Sequence, residues 1–150
     1  MTETELCCPA CRTSLERADV ELSVWTCGRC GGVWADQAAS ERIATVMDPD
    51  LVLVGRRAAK SAAGDSAFFD GARVCPVCGK PLERTKVAEV SLDACDPHGT
   101  FYDRDELGRV ARNLDYERKS HDAIESEPDV EPRETPTIGL LRFLLGRNTL

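Results

Sequence analysis

Four short pairs of metal-type donors are what most limits the folds open to this chain. Cys8-x2-Cys11 is followed after 15 residues by Cys27-x2-Cys30, and Cys75-x2-Cys78 after 16 residues by Cys95-x2-His98. A two-residue gap lets one tight turn present both side chains to a single ion. The longer interval lets the chain run out and back, so that a second turn arrives beside the first. Four donors then close a tetrahedron around zinc with no open position, the structural rather than the catalytic pattern. The spacing predicts two zinc ions per chain. Cys8, Cys11, Cys27 and Cys30 are the candidate ligands of the first, and Cys75, Cys78, Cys95 and His98 of the second.

Other uses of these residues weigh less. A single Cys-x-x-Cys can be a redox pair, but two pairs at this interval, occurring twice, favour metal. A disulfide framework needs an oxidising compartment. The N-terminus, Met1-Thr2-Glu3-Thr4-Glu5, lacks the basic-then-apolar pattern of an export signal. His98 stands where the first copy has Cys30, which marks it as a ligand. Cys7 is the extra thiol among eight cysteines; Cys8-Pro9 matching Cys75-Pro76 selects Cys8 over it. His121 lies in a polar stretch and reads as solvated.

The two copies agree beyond their ligands. Leu15-Glu16-Arg17 matches Leu82-Glu83-Arg84. Alternating Val20, Leu22 and Val24 predict a half-buried strand before Cys27, and Val90 and Leu92 play that part before Cys95. Trp34 and Phe101 read as lids of small apolar clusters, with base stacking as the lesser alternative. Asp36 and Asp103 are suited to cap helices, and Glu106 completes a capping box with Asp103. Leu107, Val110, Ala111 and Leu114 recur at helical spacing, and Ile43, Val46 and Met47 predict a buried face on the first copy's helix. The fold class is small α+β: two zinc-ribbon repeats, each a short antiparallel strand pair followed by a helix.

At these residues the chain resembles bacterial proteins with transcription-factor-IIB-type zinc-finger domains. Their pattern is Cys-Pro-x-Cys, a strand pair, Cys-x2-Cys-Gly-Gly-x-Trp-x-Asp, and a helix opened by Glu-Leu. The first copy, Cys8 to Asp36, follows the metal half but has Ala39-Ser40 in place of Glu-Leu. The second keeps Glu106-Leu107 but substitutes His98 and Phe101. The two copies cover about half the chain. The resemblance implies zinc binding and a ribbon fold; many such proteins have no assigned activity.

The organisation predicted is a first ribbon with its helix at 1–47, a partly helical linker at 48–74, and a second ribbon with its helix at 75–119. An acidic disordered linker at 120–136 and a short apolar helix at 137–150 follow. In the 48–74 segment Asp48-Pro49 reads as a helix start, with a buried face through Leu51, Val54, Ala58 and Ala62; Gly55 weakens it. Gly64-Asp65-Ser66 and Asp70-Gly71 read as turns, and Phe68-Phe69 as a packing pair. The last segment, with Ile138, Leu140, Leu141, Phe143, Leu144 and Leu145, is too apolar to stand alone. It either docks on the body of the protein, fills a partner's groove, or touches a membrane surface.

Charge narrows the partners. Nineteen Lys and Arg against 26 Asp and Glu leave a net charge of −7, and ionised thiol ligands leave it more acidic still. That opposes generic polyanion binding, although Arg56, Arg57 and Lys60, and Arg104, Arg109 and Arg112, are local basic clusters. No apolar run approaches the roughly 20 residues of a membrane-spanning helix, and the chain reads as cytoplasmic. The leading expectation is a zinc-stabilised interaction module with a protein partner, contacted in part through residues 137–150. A nucleic-acid-binding or RNA-polymerase-associated regulator is the alternative, and a thiol-redox factor the weakest. No catalytic residues are assigned, and the chain is not read as an enzyme.

Overall fold

The computed structural model describes residues 4–64 and 71–125, with side chains described as far as residue 123. Six strands, β1 (Glu16–Arg17), β2 (Val24–Thr26), β3 (Val33–Asp36), β4 (Glu83–Val87), β5 (Val90–Cys95) and β6 (Gly99–Tyr102), form one antiparallel sheet in the order β1-β2-β3-β6-β5-β4. Three helices accompany it: α1 (Gln37–Val46), α2 (Pro49–Ser61) and α3 (Glu106–Glu125). Each expected strand pair is thus a three-stranded meander, and the meanders join edge to edge through β3 and β6. The sheet lies within one compact unit, Met1–Lys119, and α3 runs on to Glu125.

Strand residues alternate between two apolar layers, as the two-residue period of a strand requires. Val24, Val33, Ala35, Val90, Leu92 and Tyr102 face a core completed by Ala39 and Ile43 of α1, Leu51, Val54 and Ala58 of α2, and Leu107 and Val110 of α3. Trp34 and Phe101 point the other way, into a layer shared with Leu6, Leu15 and the buried cysteines of both donor groups. They also face each other in the β3–β6 ladder, where Val33 pairs with Tyr102, Trp34 with Phe101, Ala35 with Thr100 and Asp36 with Gly99. Both rings have 0% exposure, so neither offers a surface on which a base could stack.

Several local expectations change in three dimensions. Val20 and Leu22 lie in the bend before β2 rather than on a strand. The Ala18 amide donates to the Val24 carbonyl, and the two side chains still pack against the helical core. On α1 the buried face is Ala39 and Ile43, one turn apart, whereas Val46 at the helix end is 57% exposed. Asp36 caps α1 by accepting the Ala39 amide at 2.9 Å. Asp48 caps α2 with Pro49 in the first turn, as the sequence predicts. Only half of the second capping box is as expected: Glu106 accepts the Asp103 amide at 2.9 Å, while the Asp103 carboxylate accepts from Arg73 at 2.6 Å.

The segment read as a linker helps hold the core. In α2, Leu51, Val54, Gly55, Ala58 and Ala59 are buried, and Gly55 permits a close crossing with α3. A Cβ there would sit 2.7 Å from the Leu107 Cδ2 atom. The glycine that lowers helix propensity is the residue that lets the helices meet. Asp65, Ser66, Phe68, Phe69 and Asp70, like residues 126–150, lie outside the described residues.

Candidate metal centres

Three of the four donor turns share one backbone pattern. The amides of Cys8, Cys27 and Cys75 donate to the carbonyls five residues on, in Thr13, Gly32 and Lys80, at 2.7, 2.9 and 2.8 Å. The amides of Arg12, Gly31 and Gly79 return to the carbonyls of those cysteines at 2.9, 3.0 and 2.9 Å. The returning residue is left-handed each time, with φ of 65°, 76° and 73°. The fourth turn is tighter: the His98 amide donates to the Cys95 carbonyl at 2.7 Å. Amides also aim at the sulfurs, Gly32 at Cys30 and Val77 at Cys75, both at 3.4 Å. The Gly32 amide favours the thiolate of Cys30.

These turns gather all eight predicted residues into two groups. Cys8, Cys11, Cys27 and Cys30 form one; Cys75, Cys78, Cys95 and His98 form the other. Within each, the donor atoms all lie within 4.8 Å of one another. In the first, Cys8 Sγ is 3.7 Å from Cys30 Sγ, and Cys11 Sγ is 3.3 Å from Cys27 Sγ. In the second, Cys78 Sγ is 3.7 Å from Cys95 Sγ, and His98 Nδ1 lies 3.5 and 3.7 Å from the sulfurs of Cys95 and Cys75. A zinc–sulfur bond of about 2.3 Å implies a tetrahedral S···S edge of about 3.8 Å, and a sulfur–nitrogen edge near 3.5 Å. A disulfide would need about 2.05 Å. The separations fit four donors about one ion. Cys7 is exposed and belongs to neither group.

Comparison with family models, with curated proteins and with solved structures finds no match. What the chain can do chemically is carried by its own donors.

Crowding sets how these donors ionise. A hydrogen bond shared with Cys30, and then burial, push the Cys8 thiol up; accepting that bond pulls Cys30 down to about 5. Burial raises Cys27 as well. In the second group the Lys80 amide draws Cys78 down to about 7, while burial and then the neighbouring sulfurs push Cys95 up to about 12. In each group one thiol, Cys30 or Cys78, ionises readily, while its neighbour, Cys8 or Cys95, holds its proton and releases it to a bound cation. Zinc added to the reduced chain near pH 7 is therefore expected to release protons. Because the raised thiols must lose protons to bind, affinity should rise with pH, and it should fall most steeply between about pH 7 and pH 5, where Cys78 and then Cys30 also take up protons. A zinc titration at several pH values checks this, and equal affinity across the interval would contradict it.

Two supporting residues escape a reading of spacing. Thr13 places its hydroxyl 3.0 Å from Cys11 Sγ and 3.3 Å from Cys27 Sγ. Arg73 bonds Asp93 at 2.8 Å and Asp103 at 2.6 Å, with its guanidinium 5.6 Å from the Phe101 ring centre. Burial opposes its charge, but the two carboxylates outweigh burial and raise its pKa. A sequence hint for Arg73 existed only in Asp93, an acid following the buried Leu92 inside a strand.

Proposed function

We propose that the chain is a zinc-stabilised interaction module whose two ions are structural. The observation that carries this is the pair of four-donor groups on one face of a single sheet, each with ligand separations suited to tetrahedral zinc. Four protein donors per ion leave no position for substrate or water, which supports a scaffold rather than an enzyme. The sequence resemblance to transcription-factor-IIB-type zinc ribbons supports the same reading.

A protein partner fits this chain better than nucleic acid. Its net charge is −7, and Trp34 and Phe101, the aromatic residues placed for base stacking, are buried. The apolar segment 137–150, which lies outside the described residues, is the sequence's candidate for that contact. Among the described residues no helix is long and apolar enough to cross a membrane.

Native mass spectrometry of the reduced 150-residue chain tests the core of the proposal, with two zinc ions expected. Binding to labelled DNA and RNA at low salt separates the partner classes. Absence of binding is expected, and complexes that weaken linearly with the logarithm of salt concentration would favour the transcription-regulator alternative.

A further inference from the structure

The two donor groups meet solvent differently. In the first, Cys8, Cys27 and Cys30 are 0%, 0% and 3% exposed, and Cys11 is half-buried. In the second, Cys75 and Cys95 are 1% and 8% exposed, but Cys78 is exposed. Its surroundings are open too. Val77 beside it is 53% exposed, and a Cβ built on Gly79 would meet nothing within 4 Å. Its sulfur is nonetheless only 3.7 Å from that of buried Cys95. An accessible sulfur with a second sulfur beside it, both in one donor set, is the arrangement in which oxidation removes two ligands at once.

We propose that Cys78 is an oxidation site through which a peroxide discharges the second metal ion while leaving the first in place. The inference rests on the zinc reading above. The Cys78 thiolate attacks hydrogen peroxide: an S–O bond forms, the O–O bond breaks, and the leaving hydroxide takes a proton to become water. The Cys95 thiolate then attacks the Cys78 sulfur: the S–S bond forms, the S–O bond breaks, and the departing oxygen leaves as a second water after taking a proton. Each sulfur gives up one electron and peroxide accepts two. The disulfide carries no anionic sulfur, so the second group keeps only Cys75 and His98, too few to retain zinc. The sulfurs must close from 3.7 Å to about 2.05 Å, a movement within reach of a surface turn.

The position of Cys95 gives this step a consequence beyond metal loss. Cys75 and Cys95 belong to the same buried layer as Phe101 and Trp34, so loosening the second group loosens the packing at the β3–β6 junction.

The test uses the 150-residue chain with Cys7→Ser, which removes the exposed thiol outside both groups. Zinc is counted first, hydrogen peroxide is then added stepwise with a chromogenic zinc chelator present, and thiols are mapped by alkylation and mass spectrometry. The expected result is release of one of two ions, matched by a Cys78–Cys95 disulfide, with Cys8, Cys11, Cys27 and Cys30 still alkylated as thiols. Reductant and zinc together should restore the original count. Loss of both ions in parallel, or release of one with Cys78 still reduced, overturns the proposal. A chain holding no zinc before peroxide is added defeats the underlying zinc reading as well, so the two failures are told apart.

Discussion

Stripping zinc from the reduced chain with a strong chelator should abolish its fixed tertiary structure, and adding zinc back should restore it. Aromatic residues are only 5% of the chain. Half of the ten buried residues in the layer around Trp34 and Phe101 are cysteines: Cys8, Cys27, Cys30, Cys75 and Cys95. Without a cation this layer holds crowded sulfurs of which Cys30 ionises readily, and a buried, unpaired thiolate is costly in a core. Structural zinc contributes on the order of 10–16 kcal/mol per site in small peptides. Whole domains have a net stability of only about 5–15 kcal/mol. Loss of both ions together therefore exceeds the total. The helical layer contains no cysteine among its buried residues, so the two spectral regions should respond differently. Near-ultraviolet circular dichroism from Trp25 and Trp34 should vanish, while part of the far-ultraviolet helix signal persists. An unchanged near-ultraviolet spectrum in metal-free, reduced protein would show that apolar packing alone holds the fold.

Donor groups are legible in this sequence because their geometry is local. A turn that presents Cys8 and Cys11 to one point needs only the residues between Cys8 and Thr13, and the same backbone bonds recur at Cys27 and Cys75. Helix starts at Asp36 and Asp48 are legible for the same reason. The β3–β6 ladder is not. Trp34 and Phe101 are far apart in the chain, and nothing near either residue says that the two edges pair rather than face solvent. Gly55 misleads in isolation, because its lost helix propensity is local whereas its use, contact with Leu107, is tertiary. Val20 and Leu22 mislead in the opposite way: alternation is satisfied equally by a strand and by a bend whose apolar side chains turn toward the same core. Val46 sits at helical spacing from Ile43, but α1 ends there and the left-handed Met47, at φ 50°, turns the chain away.

Gly99→Val should disrupt the junction between the two meanders at a cost of more than about 4 kcal/mol, in the range reached only by changes to tightly constrained sites. Gly99 pairs with Asp36 at the end of the β3–β6 ladder. A Cβ at that position would lie 2.1 Å from the Ala35 carbonyl oxygen and 2.9 Å from the Asp36 Cα, and the backbone φ is +150°. Those neighbours are backbone atoms of a paired strand, so no side-chain rotation relieves the overlap. The ladder must open, or Gly99 must leave a conformation that L-residues rarely hold. Opening the ladder separates Trp34 from Phe101 and admits water to a layer that both donor groups line. For a domain of this size the melting temperature should fall by about 10–20 °C, and amides of residues 33–36 and 99–102 should lose protection from hydrogen exchange. Gly28→Ala is the matched control. A Cβ there meets nothing within 4 Å, so it should melt close to the parent chain although it sits between two predicted ligands. If Gly99→Val instead melts with the control and keeps its amide protection, the junction tolerates a side chain and the edge pairing of β3 with β6 is not what joins the two meanders.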